Sequence, residues 1–142
     1  SPAIADERVC IGSDDGNVYC LEAATGRLIW RFNTGLPVFS SLAIVDNTVY
    51  VGSHTGFVYA LDADSGNLKR KRSINGAFFV TRSGKSHIYI GSSDGRLYAL
   101  KRTNGDIVWS FRAGGRVWTS PTLVEGMLYF GSHDGFIRAI GE

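Results

Sequence analysis

Apolar and polar positions along this chain alternate in short runs of about five or six residues, and no stretch sustains a 3.6-residue period. That pattern predicts strands and no helix. Residues 40–73 show it most clearly: strands are expected at 41–45, 48–53, 57–62 and 67–73. Asp46-Asn47, His54-Thr55-Gly56 and Asp64-Ser65-Gly66 are the turns between them. A three-residue turn ending in glycine suits a type I turn followed by a left-handed residue, a conformation glycine adopts without steric cost. The strands are rich in Val, Ile, Tyr, Phe and Trp, which pack well on a pleated, mostly buried surface.

The same unit recurs. Gly12-Ser13-Asp14-Asp15-Gly16 returns as Gly52-Ser53-His54-Thr55-Gly56, as Gly91-Ser92-Ser93-Asp94-Gly95 and as Gly131-Ser132-His133-Asp134-Gly135, at spacings of 40, 39 and 40. Fourteen residues after the first glycine of a unit come Thr25-Gly26, Ser65-Gly66 and Asn104-Gly105. Trp30 and Trp109 follow Gly26 and Gly105 by four. Earlier in the unit, Ser1-Pro2 matches Ser120-Pro121, with Ser41 at the equivalent place. A period near 40 built of four strands predicts an all-β propeller of four-stranded antiparallel blades, about four in this chain. Their limits fall near 1–36, 37–76, 77–115 and 116–142. The expected register sets Tyr50 against Ala60 and Gly52 against Val58, so small residues leave a gap that an outer-strand tryptophan can cover.

These residues resemble the pyrroloquinoline-quinone (PQQ)-type propeller repeat, whose blade motif is Ala-x-Asp-x-x-Thr-Gly-x-x-x-Trp. The second unit offers Ala60, Asp62, Ser65, Gly66 and then Arg70 where Trp is expected. The first offers Cys20, Glu22, Thr25, Gly26 and Trp30, and the third Ala99, Lys101, Asn104, Gly105 and Trp109. The fourth reaches Ala139 before the sequence ends at Glu142. The resemblance implies a propeller fold and a choice among quinone-dependent dehydrogenases, outer-membrane assembly scaffolds, and sensor or docking domains. It also favours an extracytoplasmic location, periplasmic or at the cell surface, and a ring of about eight blades, of which this chain is half.

Composition narrows the classes. Glycine contributes 18 of 142 residues, nearly twice the usual ~7%. An apolar fraction of 44% and a charged fraction of 20% exclude intrinsic disorder. The longest apolar run, Phe57-Val58-Tyr59-Ala60-Leu61, is far short of the roughly 20 residues of a spanning helix. A net charge of +2 argues against nucleic acid as a partner. Ser1-Pro2 opens the sequence with no basic stretch leading into an apolar run, so no signal peptide is expected within it. Either one was removed or the sequence is part of something longer.

Candidate chemistry is sparse. A quinoprotein enzyme of the resembled family carries two adjacent cysteines in its cofactor cradle; here Cys10 and Cys20 are ten apart. Asp14, Asp15, Asp94 and Asp134 read as turn formers whose carboxylates accept from nearby backbone N–H groups, not as calcium ligands. His54 and His133 occupy one turn position in different blades, too far apart to share a metal, and His87 stands alone. Gly84-Lys85-Ser86 lacks the upstream glycine of a phosphate loop and reads as a hairpin turn. The expectation is no catalytic residue, no cofactor and no metal.

Three features depart from the repeat. The turn at Asp14-Asp15-Gly16 pairs residues whose numbers sum to 30, so Cys10 faces Cys20 where other units pair Tyr50, Tyr89 and Tyr129 with Ala60, Ala99 and Ala139. Volume-matched free thiols are one reading and a cross-strand disulfide the other. Leu68-Lys69-Arg70-Lys71-Arg72 stands where the first unit has Leu28-Ile29-Trp30-Arg31-Phe32. Its charges either protect an outer strand edge or form a basic docking site for an acidic partner or polyanion. Losing the tryptophan makes this the weakest blade, and Arg70→Trp with Arg72→Phe is expected to strengthen it. Trp118 corresponds to Phe39 and Phe78 and is placed at one mouth of the central channel, while Trp30 and Trp109 are expected between blades. The function expected is a non-enzymatic interaction, scaffold or sensing module. A fragment of a quinone-dependent dehydrogenase and a polyanion binder are the alternatives. An open half-ring would expose two apolar blade faces, to be covered by the remainder of a longer chain or by a second copy in a homodimer; a closed four-bladed ring is the other possibility.

Overall fold

The computed structural model describes residues 2–76 and 79–141, with the backbone alone over 79–83. Ser1 and Phe78, both assigned to recurring positions above, lie outside the described residues. The described residues form fifteen strands in four antiparallel sheets. Blade 1 is β1(Ala3–Ala5), β2(Arg8–Gly12), β3(Asn17–Glu22) and β4(Leu28–Asn33). Blade 2 is β5(Ala43–Val45), β6(Thr48–Gly52), β7(Phe57–Asp62) and β8(Leu68–Ser73). Blade 3 is β9(Phe79–Ser83), β10(His87–Ser92), β11(Arg96–Lys101) and β12(Ile107–Arg112). Blade 4 holds β13(Thr122–Val124), β14(Met127–Gly131) and β15(Ile137–Gly141). Among the described residues there is no helix, and so none long and apolar enough to cross a membrane.

Turn chemistry sets the register. Gly16, Gly56, Gly95 and Gly135 take φ between 82° and 89°, and each donates its N–H to the serine carbonyl three residues back at 3.1–3.2 Å. The expected pairs Tyr50–Ala60 and Gly52–Val58 follow. Asp46 and Asn47 both take left-handed conformations (φ 50° and 54°), the type I′ turn that matches strand twist. Gly84-Lys85-Ser86 links β9 to β10 as a hairpin, with the Gly84 N–H donating to the His87 carbonyl at 2.8 Å.

Three of the four turn carboxylates, all but Asp14, accept backbone N–H groups as the sequence suggests. Asp15, Asp94 and Asp134 each accept a backbone N–H two residues on, at 2.9, 2.9 and 3.1 Å. Their second oxygens meet Tyr19, Tyr98 and Arg138 on the strand that leaves the turn, one repeating position. The Tyr19 hydroxyl and the Asn17 N–H hold the Asp15 carboxyl down at about 2. Arg138, then the Ser132 hydroxyl, hold Asp134 well below the usual carboxylate range. A carboxylate depressed in the folded state stabilises it above the ordinary value near 4, and that stability is lost as pH falls toward the folded value. The melting temperature is therefore expected to hold from neutral pH to about 5 and to fall from about 4 to about 2. Asp15→Asn should shrink that fall, as followed by circular dichroism melts across the pH series.

Each blade has a forward face, turned to the next blade, and a rear face. Cys10, Val18, Cys20 and Trp30 on the forward face of blade 1 pack on Val49, Val51, Tyr59 and Leu61 of the rear face of blade 2. Tyr50, Val58 and Ala60 meet Ile88, Ile90, Tyr98 and Leu100 in the same way. Tyr89, Leu97 and Ala99 meet Leu128 and Phe130. The core is thus three apolar layers between consecutive blades. Ion pairs close the first two junctions at their rims: Arg8 with Asp64, Arg102 with Asp46, and Arg72 with Asp106.

Candidate interaction surfaces

Among the described residues no blade packs on the two outermost faces of the array. On the forward face of blade 4, Tyr129 is 43% exposed, whereas its counterparts Tyr50 and Tyr89 are 2% and 1% exposed. Ile137 beside it is 82% exposed. On the rear face of blade 1, Val9, Ile11, Tyr19 and Leu21 are only half-buried, where Val49, Val51, Tyr59 and Leu61 one unit later are buried. Among the described residues no apolar cluster joins blade 4 to blade 1.

A glycine on each forward face marks how closely neighbours approach. A Cβ on Gly12 would lie 2.4 Å from Val38 Cγ1, so Val38 fills the hollow that glycine leaves. The corresponding hollow at Gly131 is open, a cavity of about 290 Å3 bordered by Trp118, Thr119, His133 and Ile137. The bracket behind it escaped the sequence reading. Thr119 Oγ1 accepts the Gly131 N–H at 2.8 Å and donates to the Gly131 carbonyl at 3.2 Å. Ser40 does the same for Gly52, at 3.0 and 2.7 Å. The signal was a hydroxyl residue immediately before Ser41 and Ser120; Phe79 holds that place in the third unit and has none to offer.

Trp118 and Phe39 sit alike. The Trp118 ring stacks on His133 at 5.1 Å and 11°, and the Phe39 ring meets His54 edge-on at 4.9 Å. Both aromatics are partly exposed, at 39% and 50%. Ser41 and Ser120, close to them in sequence, bring their hydroxyls to 3.5 Å, so the openings of blades 2 and 4 adjoin. The histidines thus support aromatic rings, and among the described residues no group of metal-ligating side chains forms.

The inter-blade tryptophans differ from expectation in one case. Trp30 is buried, lies over Gly66 and donates its indole N–H to the Ala63 carbonyl at 2.9 Å. Trp109 is only half-buried, though it packs against Tyr89 at 6.1 Å. The reason is its lid. Trp30 is covered by the turn between the third and fourth strands of the next blade, and for Trp109 that turn would lie past residue 142.

The basic run is divided by the strand's alternation. Arg70 and Arg72 share the forward face with Ala60 and Val58, and Lys71 is on the rear face over the Phe57 ring at 4.7 Å. Lys69 Nζ donates to Thr48 Oγ1 at 2.9 Å. Arg72 pairs with Asp106 and donates to the Gly105 carbonyl at 3.2 Å. Arg70 takes the seat of the missing tryptophan over Gly105, where a Cβ would come within 3.1 Å of its Nε. The Tyr50 hydroxyl donates to the Arg102 carbonyl at 3.0 Å, the counterpart of the bond Trp30 makes to Ala63. A cavity of about 110 Å3 remains beside Tyr50, Val58, Leu100 and Arg70. Filling it is a reason to restore tryptophan at 70; at 72 a phenylalanine would break the pair with Asp106.

These faces and repeats have known counterparts. The family model described as outer membrane protein assembly factor BamB matches residues 1–73 and again 71–141. The chain belongs to that family. Its BamB-like, PQQ-type repeats account for the whole described architecture. The crystal structure of BamB from Moraxella catarrhalis is similar over 99% of this chain, with 26% identity and a TM-score of 0.88. This chain spans 45% of that BamB. Two computationally designed proteins share the fold at 19% identity. Ika4 superposes with a TM-score of 0.87 over 99% of this chain and 88% of its own, and Ika8 with 0.86 over 99% and 45%. No curated protein matches the sequence.

Proposed function

We propose that the chain is a non-enzymatic protein-interaction scaffold that works outside the cytoplasm, in the assembly of outer membrane proteins. The observation that carries this is the match to the assembly-factor family across both halves of the chain, supported by likeness to BamB over nearly all of it. Its four units, divided near residues 36, 76 and 115, form a rigid base. Trp118, Phe39, Lys69 and Lys71 are the surface groups available for contact, whereas Arg70 and Arg72 are taken up by the junction of blades 2 and 3. PQQ and calcium with a dye-linked oxidation assay should give no turnover; turnover would favour a quinone-dependent dehydrogenase segment instead.

The open faces are part of the same reading. The forward face of blade 4, over its three strands, and the rear face of blade 1 repeat faces that bury each other at the junctions within the chain. A second copy offers both, and pairing two half-rings around a two-fold axis makes the two new junctions equivalent and closes an eight-bladed ring. Light scattering on the 15.4 kDa chain should give twice that mass. A mass of 15.4 kDa would remove the homodimer and leave the faces to other blades.

A further inference from the structure

The Cys10–Cys20 pair is unlike anything in the other blades and plays no part in the proposed function. The Glu7 carbonyl accepts the Ala23 N–H at 2.8 Å, and the Ser13 N–H donates to the Asn17 carbonyl at 3.0 Å. Hydrogen-bonded pairs therefore fall at odd-numbered positions of β2, and Cys10–Cys20, at an even one, is a non-hydrogen-bonded pair. Such pairs bring their Cα atoms to about 4.5 Å, with side chains closest. A disulfide spans Cα separations of about 4.4–6.8 Å. The two sulfurs stand 2.9 Å apart as thiols, and both residues are fully buried at the junction with blade 2.

We propose that Cys10 and Cys20 become joined by a disulfide when the chain meets a thiol–disulfide oxidant. The thiolate of one cysteine attacks a sulfur of the donor disulfide and expels one donor thiolate, leaving a mixed disulfide. The second cysteine's thiolate then displaces the donor's remaining sulfur. Two electrons and two protons pass from the cysteines to the donor, which ends as two thiols. Burial pushes the Cys10 thiol well above its ordinary value, so little thiolate exists once blade 2 has closed over it. Exchange accordingly takes place while that junction is still open, during folding. The bond would tie the two central strands of blade 1. Its occurrence in cells rests on the extracytoplasmic location proposed above, since such bonds persist in oxidising compartments; its chemistry does not.

The chain is unfolded in urea, refolded by dilution into mixtures of oxidised and reduced glutathione, alkylated with iodoacetamide in denaturant and weighed intact. The expected product carries no alkyl group, has lost two hydrogens, and yields a linked Cys10–Cys20 peptide. Reductant should lower its melting temperature but leave that of Cys10→Ala/Cys20→Ala unchanged. Two alkylated cysteines at every glutathione ratio, or a bond found only between chains, would overturn the proposal. The same alkylation on protein taken directly from cells separates the two ideas. Oxidation in glutathione with free thiols in cells would count against the location and leave the bond standing.

Discussion

Trp30→Ala is expected to cost about 3–5 kcal/mol, the range for removing a buried tryptophan. Domain stability is only about 5–15 kcal/mol, so this one change should remove a large share of it. Three contributions are lost together: the ring's burial between Cys20 and the rear face of blade 2, its cover over Gly66, and the indole hydrogen bond to Ala63. Trp109→Ala should cost clearly less, because that ring is already half in solvent. Urea denaturation of both variants is the measurement. Equal losses would show that the lid over Trp30 contributes nothing.

Gly12→Ala should cost about 1–3 kcal/mol, as overpacking a filled site does. The added methyl would meet Val38 Cγ1 at 2.4 Å and the Val38 carbonyl oxygen at 3.0 Å, and the backbone there has little room to give. Gly131→Ala is the same change at the same repeat position, but its nearest neighbours are Thr119 atoms at 3.4 and 3.5 Å. Its effect on the isolated chain should stay within about 0.5 kcal/mol. If a second copy seats a side chain in that hollow, Gly131→Ala should nevertheless weaken the dimer, seen as loss of the double mass on dilution. Comparable destabilisation by the two alanines would contradict the open hollow at Gly131.

Much of the fold could be read from the sequence because its determinants are local. A three-residue turn closed by glycine dictates which residues face each other, so Tyr50–Ala60 and Cys10–Cys20 follow from counting. The four-strand unit follows from those turns and the alternation between them. What could not be read depends on the approach of separate blades. Nothing around Trp109 says that it is less covered than Trp30, because the cover belongs to another unit. Nothing near Arg72 announces Asp106, which lies 34 residues away and becomes a neighbour only when blades 2 and 3 dock. The hydroxyl brackets at Ser40 and Thr119 repeat, yet a serine or threonine in a connecting segment carries no distinctive signature until the glycine it clasps is in place. The basic run looked continuous in the sequence; the pleat sends its members to opposite faces.

Every internal junction is made from the same pair of faces, and this bears on how such chains change in length over evolution. An unequal recombination that deletes or duplicates one period of about 40 residues still leaves a forward face beside a rear face. The hydrophobic layer between them is regenerated without any new complementary substitution. Gain or loss of whole periods is therefore structurally cheap, whereas a shift of half a period would join an outer strand to an inner one and leave both faces mismatched.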